Sequence, residues 1–562
     1  MIHEIKEKAL YLRLYDVLKM SAEKFPEKDA AGFVGQKMLT YKELLNKVDK
    51  LAFHLHSHGV KKDETVAIWS ENHPNWLIAY FAIMKIGAVA VPILPDFSST
   101  EVQNILEHSD TKTLFISTSQ YRKLGEETKK FTDTLILLND FSLRMKHTDD
   151  IHTVKGEQFE TFCKKHESEI HDMEAAKGSN EDLASIIYTS GTTGSSKGVM
   201  LTHKNLVTNV RMGDDMFKIK EGYRCLSILT MAHTLEFTLG NILTLSSGAC
   251  VYYIDKPPTA PVLLPALKQV KPHFMLSVPL IIEKIFKGKV RPALTSGTVK
   301  RFLYSIKPIR KILHKVAGKK LMETFGGNLV FFGIGGAKLD SEVEQFLLDA
   351  NFPYAIGYGL TETAPLLAGA IPGETVLGST GKIAIGVEVK LINIKNGLGE
   401  IIVKGTNVMK GYFKNEELTS KVLSPDGWFH TGDLAEIDSK NRIFIKGRTK
   451  NMILGPSGEN IYPEDIEAHI NQHAYVLESL VYEIKGKLVA RVHLNYEELE
   501  NRLKELKKSA LHLEEEANRI LDELLIKVNG DLNKFSRISV IIEQKVPFEK
   551  TPTLKIKRYL YS

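Results

Sequence analysis

The chain has 562 residues, of which 43% are hydrophobic and 25% are charged, a composition typical of a globular protein and not of a disordered one. A chain of this length is expected to fold as two or more domains. Its formal net charge of +6 at pH 7 is too small, over so many residues, to predict nucleic-acid binding. The three cysteines have no metal-binding spacing, which favours a reduced, cytoplasmic environment.

Strand-like and helix-like segments alternate from the start of the chain. The first ten residues alternate in charge and do not resemble a secretory signal. ETVAIWS (64–70) predicts a buried strand, and the longest apolar run, WLIAYFAIMKIGAVAVPILP (76–95), predicts a helix followed by a strand. Lys85, Pro92 and Pro95 interrupt that run, so we do not expect it to span a membrane.

The later segments indicate how the chain divides. The alternation continues through LSVPLIIEKIFK and NLVFFGIGG, which predicts an α/β fold with layers around largely parallel sheets. Short strands with glycine and asparagine turns predict a β-rich subdomain at about 374–446. Polar and glycine residues cluster near Lys450, where we place a domain boundary. We therefore expect a large amino-terminal domain of layered α/β subdomains (1–449) and a small α+β carboxy-terminal domain (450–562).

The stretch YTSGTTGSSKG (188–198) follows a predicted strand and has the composition of an anion-binding loop. Its glycines can expose backbone N–H groups, its hydroxyl side chains can donate hydrogen bonds, and Lys197 adds positive charge. The alternative is a flexible surface loop. The GxxxxGK[ST] loop of kinases and ATPases does not fit, because the spacing fails and Gly198 follows the lysine. The candidate phosphate ligands are Thr189, Ser190, Gly191, Thr192, Thr193, Gly194 and Lys197.

Two further motifs lie in the second half of the chain. GYGLTETAP (357–365) contains Glu362, whose carboxylate suits a hard cation that bridges phosphates. FFGIGGAKLD (331–340) predicts a strand, a glycine turn and a helix that begins near Asp340. Taken alone, each has an ordinary alternative, namely a surface carboxylate or a tight turn that needs glycine.

Together these motifs resemble the signatures of the adenylate-forming superfamily, which includes acyl-CoA synthetases and firefly luciferase. The resemblance extends from LTYKELLNKVDKLAFHL (39–55) to TPTLKIKRYL (551–560). The tail departs from the commoner serine–glycine before its lysine and resembles the long-chain acyl-CoA synthetases. The resemblance implies a mobile carboxy-terminal domain and a two-step ligase. A fatty acid, ATP and Mg²⁺ would give an acyl-adenylate and pyrophosphate, and coenzyme A would then take the acyl group and release AMP.

The resemblance also implies roles for individual residues. Lys555 would be the catalytic lysine, Thr361 would contact the α-phosphate, and Glu362 would hold Mg²⁺. Lys450 would be the hinge between the domains, and Gly458 would let the pantetheine arm of coenzyme A pass close to the backbone. The nucleotide site would consist of Gly336 and Ala337 beside the adenine, Tyr358 along it with Gly359, Asp433 at the ribose, and Arg448 near the ribose or phosphates.

MAHTLEF (231–237) bears on which acid is activated. The resemblance places His233 beside the acyl carboxylate, and Glu236 three residues later fits the long-chain pattern. A buried structural histidine is the alternative. We expect a long-chain fatty acid. Three other possibilities stay open: an acyl carrier protein as acceptor, a different carboxylic acid, and a non-catalytic protein that binds nucleotide or fatty acid.

A basic segment gives one more expectation. PIRKILHKVAGKK (308–320) places Ile309, Ile312, Leu313 and Val316 at helical spacing, with lysine and arginine at other positions. We expect a basic amphipathic helix, which can make a peripheral contact with an anionic membrane through 298–320. The alternative is that the same apolar stripe packs on the domain and leaves a solvated basic face.

Overall fold

The computed structural model of the chain describes residues 12–145, 158–190, 196–454, 459–473, 475–484, 486–505, 512–551 and 555–561. Two large sheets form most of its amino-terminal part, and both have a parallel centre. Among the described residues, no helix is both long and apolar enough to cross a membrane.

The first sheet has eight strands, and its inner pairs are parallel while its outer pairs are antiparallel. The predicted strand within 64–70 is present at its centre as Thr65–Trp69. The predicted helix and strand of the apolar run are present as Pro74–Lys85 and Val89–Ile93. In spatial order the strands are Gly411–Tyr412, Ser196–Thr202, Leu183–Ser190, Val89–Ile93, Thr65–Trp69, Thr113–Ile116, Thr134–Leu137 and Leu143–Met145.

The second sheet has nine strands. Its parallel centre confirms the parallel arrangement that alternating strands and helices predict. In spatial order the strands are Lys382–Ile383, Leu366–Gly369, Tyr354–Gly359, Phe331–Ile334, Phe274–Ser277, Arg224–Ser227, Cys250–Tyr253, Asp29–Phe33 and Leu39–Thr40.

Helices join the two sheets through one continuous cluster of buried side chains, to which Ile68, Tyr80 and Val251 belong. Helix Pro74–Lys85 is buried on every side, and this explains why its sequence is apolar throughout. The α-helices of this part are Leu14–Lys24, Tyr41–Ser57, Pro74–Lys85, Ser99–His108, Thr118–Tyr121, Glu126–Phe131, Phe159–Lys165, Glu167–Asp172, His203–Met216, Leu243–Ser246, Ala260–Val270, Pro279–Ile285, Arg291–Thr295, Thr298–Ser305, Lys307–Thr324, Ser341–Asp349 and Glu416–Val422.

A four-stranded antiparallel sheet accounts for the β-rich texture of the sequence after residue 374. In each of its two hairpins a short turn joins strands that are consecutive in the chain, as the glycine and asparagine residues of the sequence predict. The exact limits of a β-rich subdomain stay a prediction. The strands, in spatial order, are Glu388–Lys395, Leu398–Lys404, Phe429–Ile437 and Ile443–Arg448.

The carboxy-terminal part has a hydrophobic cluster of its own, which includes Ile466, Val492 and Leu524. It contains the predicted α+β mixture, although the boundary near Lys450 stays a prediction. Its helices are Pro463–Asn471, Tyr496–Glu505 and Leu513–Asp531, its three-stranded sheet is Val476–Ile484, Lys487–Leu494 and Val540–Glu543, and a hairpin joins Ile453–Leu454 to Asn460–Ile461.

Two buried asparagines fix the turn that follows strand Tyr354–Gly359. The Asn209 amide donates a hydrogen bond to the carbonyl oxygen of Thr363 at 2.9 Å and accepts one from the backbone N–H of Leu366. The Asn407 amide donates to the same Thr363 carbonyl at 3.2 Å and to the Leu366 carbonyl at 2.9 Å. Because these backbone groups are out of reach of water, the asparagines stabilise the turn that carries Glu362.

We expect Asn209→Leu to lower the free energy of unfolding of the amino-terminal part by about 1–3 kcal/mol, because it leaves the Leu366 N–H buried without an acceptor. Urea denaturation followed by tryptophan fluorescence measures this change. The control is Asn104→Leu, at an exposed helix position, with an expected effect within about 0.5 kcal/mol. Equal stability of the two variants would contradict the role given to Asn209.

Candidate active site

A buried carboxylate lies at the centre of the candidate site. Asp433 and Arg448 are directly opposite each other on antiparallel strands Phe429–Ile437 and Ile443–Arg448. The Arg448 Nε donates to Asp433 Oδ1 at 2.9 Å, and the Tyr358 hydroxyl donates to Oδ2 at 2.8 Å. Asp433 is only 5% exposed. Charge-assisted hydrogen bonds to both oxygens therefore orient this carboxylate.

A second carboxylate, Glu362, lies on the short 3-10 turn Thr361–Thr363. Its Oε1 accepts a hydrogen bond of 2.8 Å from the Tyr412 hydroxyl. The Lys197 ammonium lies 4.8 Å from the centre of the same Tyr412 ring, within the range of a cation–π contact. Tyr412 reaches this position because its short strand pairs with strand Ser196–Thr202, which begins beside Lys197.

The site gathers positive charge from separate parts of the chain. Burial lowers the pKa of Lys197; Lys450 and Arg448 lower it further, and Glu362 opposes them. Burial also lowers the pKa of the Lys555 ammonium, Arg448 lowers it further, and Asp433 and Glu362 oppose the shift. The side chain of Lys555 nevertheless keeps exposed surface, so water screens part of these interactions.

His233 faces the same cleft as a neutral imidazole. Its Nδ1 accepts a hydrogen bond of 3.2 Å from the backbone N–H of Leu235, and this assigns the ring proton to Nε2. Burial, and then the nearby Lys555 ammonium, lower the pKa of His233 to about 4. The imidazole can therefore donate a hydrogen bond from Nε2 at neutral pH without adding another positive charge.

Glu236 lies on the π-helix Leu235–Ile242 and points into the protein interior. Neither carboxyl oxygen has a hydrogen-bond partner among the described residues. Burial raises the pKa of Glu236 to about 8, and the nearby Ser227 hydroxyl offsets part of the shift. Gly240 leaves the room this carboxyl needs, since a Cβ there would lie 2.9 Å from the carboxyl carbon. Burial therefore favours the neutral form of the Glu236 carboxyl.

Two predicted glycines lie where a side chain does not fit, one because of its backbone conformation and one because of a close neighbour. Gly336 has a positive φ of 86° in the turn after strand Phe331–Ile334, a region that favours glycine. A Cβ at Gly359 would collide with the carbonyl oxygen of Pro365. The predicted strand, glycine turn and helix are confirmed. The strand is Phe331–Ile334, the turn contains Gly336, and Asp340 caps the amino terminus of helix Ser341–Asp349.

Several predicted residues fall outside the part of the chain that the structure describes. The strands on either side of the predicted phosphate loop pair with each other, with Thr189 opposite Lys197 and Ser190 opposite Ser196. Lys450 lies in the turn Thr449–Asn451, near enough to Lys197 to lower its pKa. The predicted residues outside the described ranges are Gly191, Thr192, Thr193, Gly194 and Gly458.

The structure adds one residue that the sequence does not single out. Tyr412 contacts both Glu362 and Lys197, yet it lies more than 40 residues from either of them in the chain. No local pattern around MKGYFKN marks it, because its position depends on a pairing between distant strands.

Comparison with curated proteins finds relatives along nearly the whole chain. Long chain acyl-CoA synthetase 1 of Arabidopsis thaliana is 29% identical over 600 residues, which cover 97% of this chain and 90% of that protein. The long-chain-fatty-acid–CoA ligase FadD15 of Mycobacterium bovis is 27% identical over 554 residues, which cover 92% of this chain and 90% of that protein.

Solved structures share the fold at lower sequence identity. The anthranilate CoA ligase AuaEII, in complex with anthranoyl-AMP, has a TM-score of 0.77 and 19% identity, over 98% of this chain and 96% of that chain. O-succinylbenzoate coenzyme A synthetase (MenE) from Bacillus subtilis, in complex with ATP and magnesium ion, has a TM-score of 0.72 and 21% identity, over 98% and 99%. These likenesses confirm the predicted fold class.

A family model described as AMP-binding enzyme matches residues 18–413. This range is well over half of the chain, and it contains the paired strands around Lys197, the turn that carries Glu362 and the short strand of Tyr412. The chain belongs to the AMP-binding enzyme family.

Proposed function

We propose that the protein is a ligase that activates a long-chain fatty acid with ATP through an acyl-adenylate and then transfers the acyl group to coenzyme A. The observation that carries this proposal is the pair of oriented carboxylates, with Asp433 held by Tyr358 and Arg448 and Glu362 held by Tyr412. The names of the curated relatives support the long-chain acid and the CoA acceptor.

The nucleotide would bind around Asp433. Each carboxylate oxygen keeps a lone pair beyond its bond to Tyr358 or Arg448, so both can accept hydrogen bonds from ribose hydroxyls. The Tyr358 ring would lie along the adenine, beside Gly336 and Ala337, with Gly359 allowing the close backbone approach. The paired strands at Thr189 and Lys197 would hold the phosphates at their common end.

The first half-reaction needs positioning and charge more than covalent help. A carboxylate oxygen of the acid attacks the α-phosphorus of ATP, and the bond to pyrophosphate breaks. Lys197, Arg448 and Lys555 stabilise the negative charge that spreads over the phosphate oxygens. Thr361 would bond to the α-phosphate, and neutral His233 would donate a hydrogen bond from Nε2 to the acyl carboxylate.

The donor set fits one hard cation. The carboxylate of Glu362 keeps free acceptor capacity beyond its bond to the Tyr412 hydroxyl, and one carboxylate together with substrate phosphates is a usual environment for Mg²⁺. When bound there, Mg²⁺ would neutralise phosphate charge. Tyr412 would orient Glu362 for this role.

The second half-reaction would use another arrangement of the two domains. The carboxy-terminal domain would rotate about Lys450, withdraw Lys555 from the cleft and bring the segment around Gly458 to the acyl-adenylate. The thiolate of coenzyme A then attacks the acyl carbonyl carbon, a thioester bond forms, and AMP leaves with the bonding electrons.

A mixture of fatty acids tests the proposed substrate. Incubation with ATP, Mg²⁺, coenzyme A and acids of short, medium and long chain should give long-chain acyl-CoA thioesters as the dominant products in mass spectrometry. Equal amounts of AMP should accumulate. Thioesters of short-chain acids alone would contradict the long-chain assignment. Transfer to an acyl carrier protein but not to coenzyme A would contradict the acceptor.

We expect Lys555→Ala to slow adenylate formation by about 100-fold or more, because it removes a cation that acts on the developing charge. Thioester formation from supplied acyl-adenylate should stay near the wild-type rate. ATP–pyrophosphate exchange measures the first step, and acyl-CoA release from purified acyl-adenylate measures the second.

Two variants control this comparison. Lys527→Ala removes an exposed lysine of the same domain and should leave both steps unchanged. Gly458→Trp should slow thioester formation and spare adenylate formation. An equal loss of both steps in Lys555→Ala would show that Lys555 does not act in one step alone.

The lowered pKa of Lys555 predicts an alkaline limb in the first half-reaction. The ammonium loses its proton as pH rises, so kcat/KM for ATP should fall at a pH below the usual lysine pKa of about 10.4. Lys555→Arg should move this limb to higher pH, because a guanidinium stays charged. Since burial also lowers the pKa of Lys197, Lys197→Arg is the comparison. An unmoved limb in Lys555→Arg would exclude Lys555 as its source.

A further inference from the structure

Two successive helices, Thr298–Ser305 and Lys307–Thr324, carry large apolar side chains that point to solvent. Bulky apolar residues grouped in this way are unusual on a water-exposed surface. We call this group and the exposed lysines around it the outer face. The apolar members and their exposed fractions are Val299 at 73%, Phe302 at 66%, Ile312 at 63% and Val316 at 66%.

The opposite side of helix Lys307–Thr324 packs against the protein. His314 is buried there, with Nδ1 2.9 Å from Asp349 Oδ2 and Nε2 3.0 Å from the Tyr304 hydroxyl. A Cβ at Gly318 would collide with Ala350, and Leu321 is buried in the core. Residues 314, 318 and 321 share one helical face. This face fixes the rotation of the helix.

The packing alternative for the predicted apolar stripe is therefore wrong for two of its four members. Ile312 and Val316 lie on the side away from His314 and Gly318 and stay exposed, while Ile309 and Leu313 are half-buried. Nothing in the core requires an apolar side chain at the two exposed positions. Their apolar character needs another explanation.

Charge is separated between the two sides of this region. No acidic residue occurs between Glu283 and Glu323. The inward cations are paired, with Lys287 2.9 Å from Asp340 and Arg291 3.2 Å from Glu342. The exposed cations of the outer face are Lys300, Arg301, Lys307, Lys311, Lys315, Lys319 and Lys320.

We propose that the outer face binds the surface of an anionic lipid bilayer, with the two helices lying in the plane of the interface. Phe302, Val299, Ile312 and Val316 would enter the boundary between headgroups and acyl chains, and the surrounding lysines would extend to the lipid phosphates. The chain would lie on the membrane without crossing it.

The shape and chemistry of the outer face favour lipid over an acidic protein. The apolar side chains project from two helices and are far more exposed than groove-lining residues would be. Most of the cations are lysines, whose flexible stems suit a mobile layer of phosphates better than one fixed geometry. The proposal concerns binding alone and does not depend on which acid the enzyme activates.

Co-sedimentation of the full chain with vesicles tests the proposal. Binding to phosphatidylcholine vesicles that contain phosphatidylglycerol should exceed binding to pure phosphatidylcholine about tenfold or more, and should weaken as salt rises. The variant Lys311→Glu with Lys315→Glu should bind anionic vesicles at least about tenfold more weakly. The variant Phe302→Ser with Val316→Ser should also bind more weakly and keep the salt dependence.

Matched variants elsewhere on the surface control for net charge and hydrophobicity. The charge control is Lys395→Glu with Lys440→Glu, and the apolar control is Ile385→Ser with Ile394→Ser, all at exposed positions of the β-rich segment. Both should bind vesicles as the wild type does. All four variants should keep the far-ultraviolet circular dichroism spectrum and the thermal transition of the wild type, which shows that they fold.

A depth measurement gives a second readout. The three native tryptophans, Trp69, Trp76 and Trp428, are buried, so a new tryptophan in Phe302→Trp would report on the outer face. Brominated acyl chains in anionic vesicles should quench this variant and leave the wild type nearly unquenched. Lack of quenching with vesicles bound would contradict insertion of Phe302.

Other results would overturn the proposal outright. The lipid assignment is wrong if the wild type does not bind anionic vesicles, or if Lys311→Glu with Lys315→Glu binds as well as the wild type. An equal loss in the charge control would mean that net charge alone drives binding. A third result would identify the outer face as a protein-docking surface. In that case the wild type does not bind vesicles, and the outer-face variants bind acyl carrier protein more weakly than the wild type does.

Discussion

The gathering of cations where burial already disfavours their charge is the constraint on which the rest of the site depends. Lys197, Arg448 and Lys555 come from distant parts of the chain, burial lowers the pKa of both lysines, and Arg448 lowers each of them further. Asp433 and Glu362 compensate part of this charge. The neutral state of His233, whose pKa is about 4, keeps one more positive charge out. An arrangement of this kind is best satisfied by a polyanion, and ATP is one.

The two sheets and the antiparallel hairpins hold these groups in place by register. Strand pairing sets Asp433 opposite Arg448 and Thr189 opposite Lys197. Buried asparagines at 209 and 407 hold the turn that bears Glu362. Lys555 is the exception, because it reaches the cleft from the carboxy-terminal part. One member of the charged group therefore depends on the position of that part, and the others depend on the rigid framework.

Local features of the fold could be predicted from the sequence because they have local causes. An apolar run predicted a helix and the strand after it, which the structure has as Pro74–Lys85 and Val89–Ile93. The glycine turn before Asp340 was predicted from residue type alone, and Gly336 has the positive φ that such a turn needs. The resemblance to a family supplied the candidate site residues, because the role proposed for Lys555 has no local signature.

Features that arise from packing between distant segments could not be predicted. Tyr412 meets Glu362 and Lys197 only because of a strand pairing across more than 200 residues. The helical spacing of Ile312 and Val316 was visible, but periodicity does not say which side of a helix meets the protein. His314 and Gly318 lie on the side that packs against the protein. A hydrophobicity pattern does not identify that side, because one of these residues is polar and the other is a glycine.

The direct opposition of Asp433 and Arg448 has a consequence for how faithfully this hairpin must fold. Side chains along a strand alternate between the two faces of a sheet, so a slip of one position would turn one member of the pair away from its partner. A molecule with that error would bury an uncompensated carboxylate beneath the cleft, at a cost that disfavours the slipped form. The ion pair between Asp433 and Arg448 therefore also favours the correct register of the two strands that carry it.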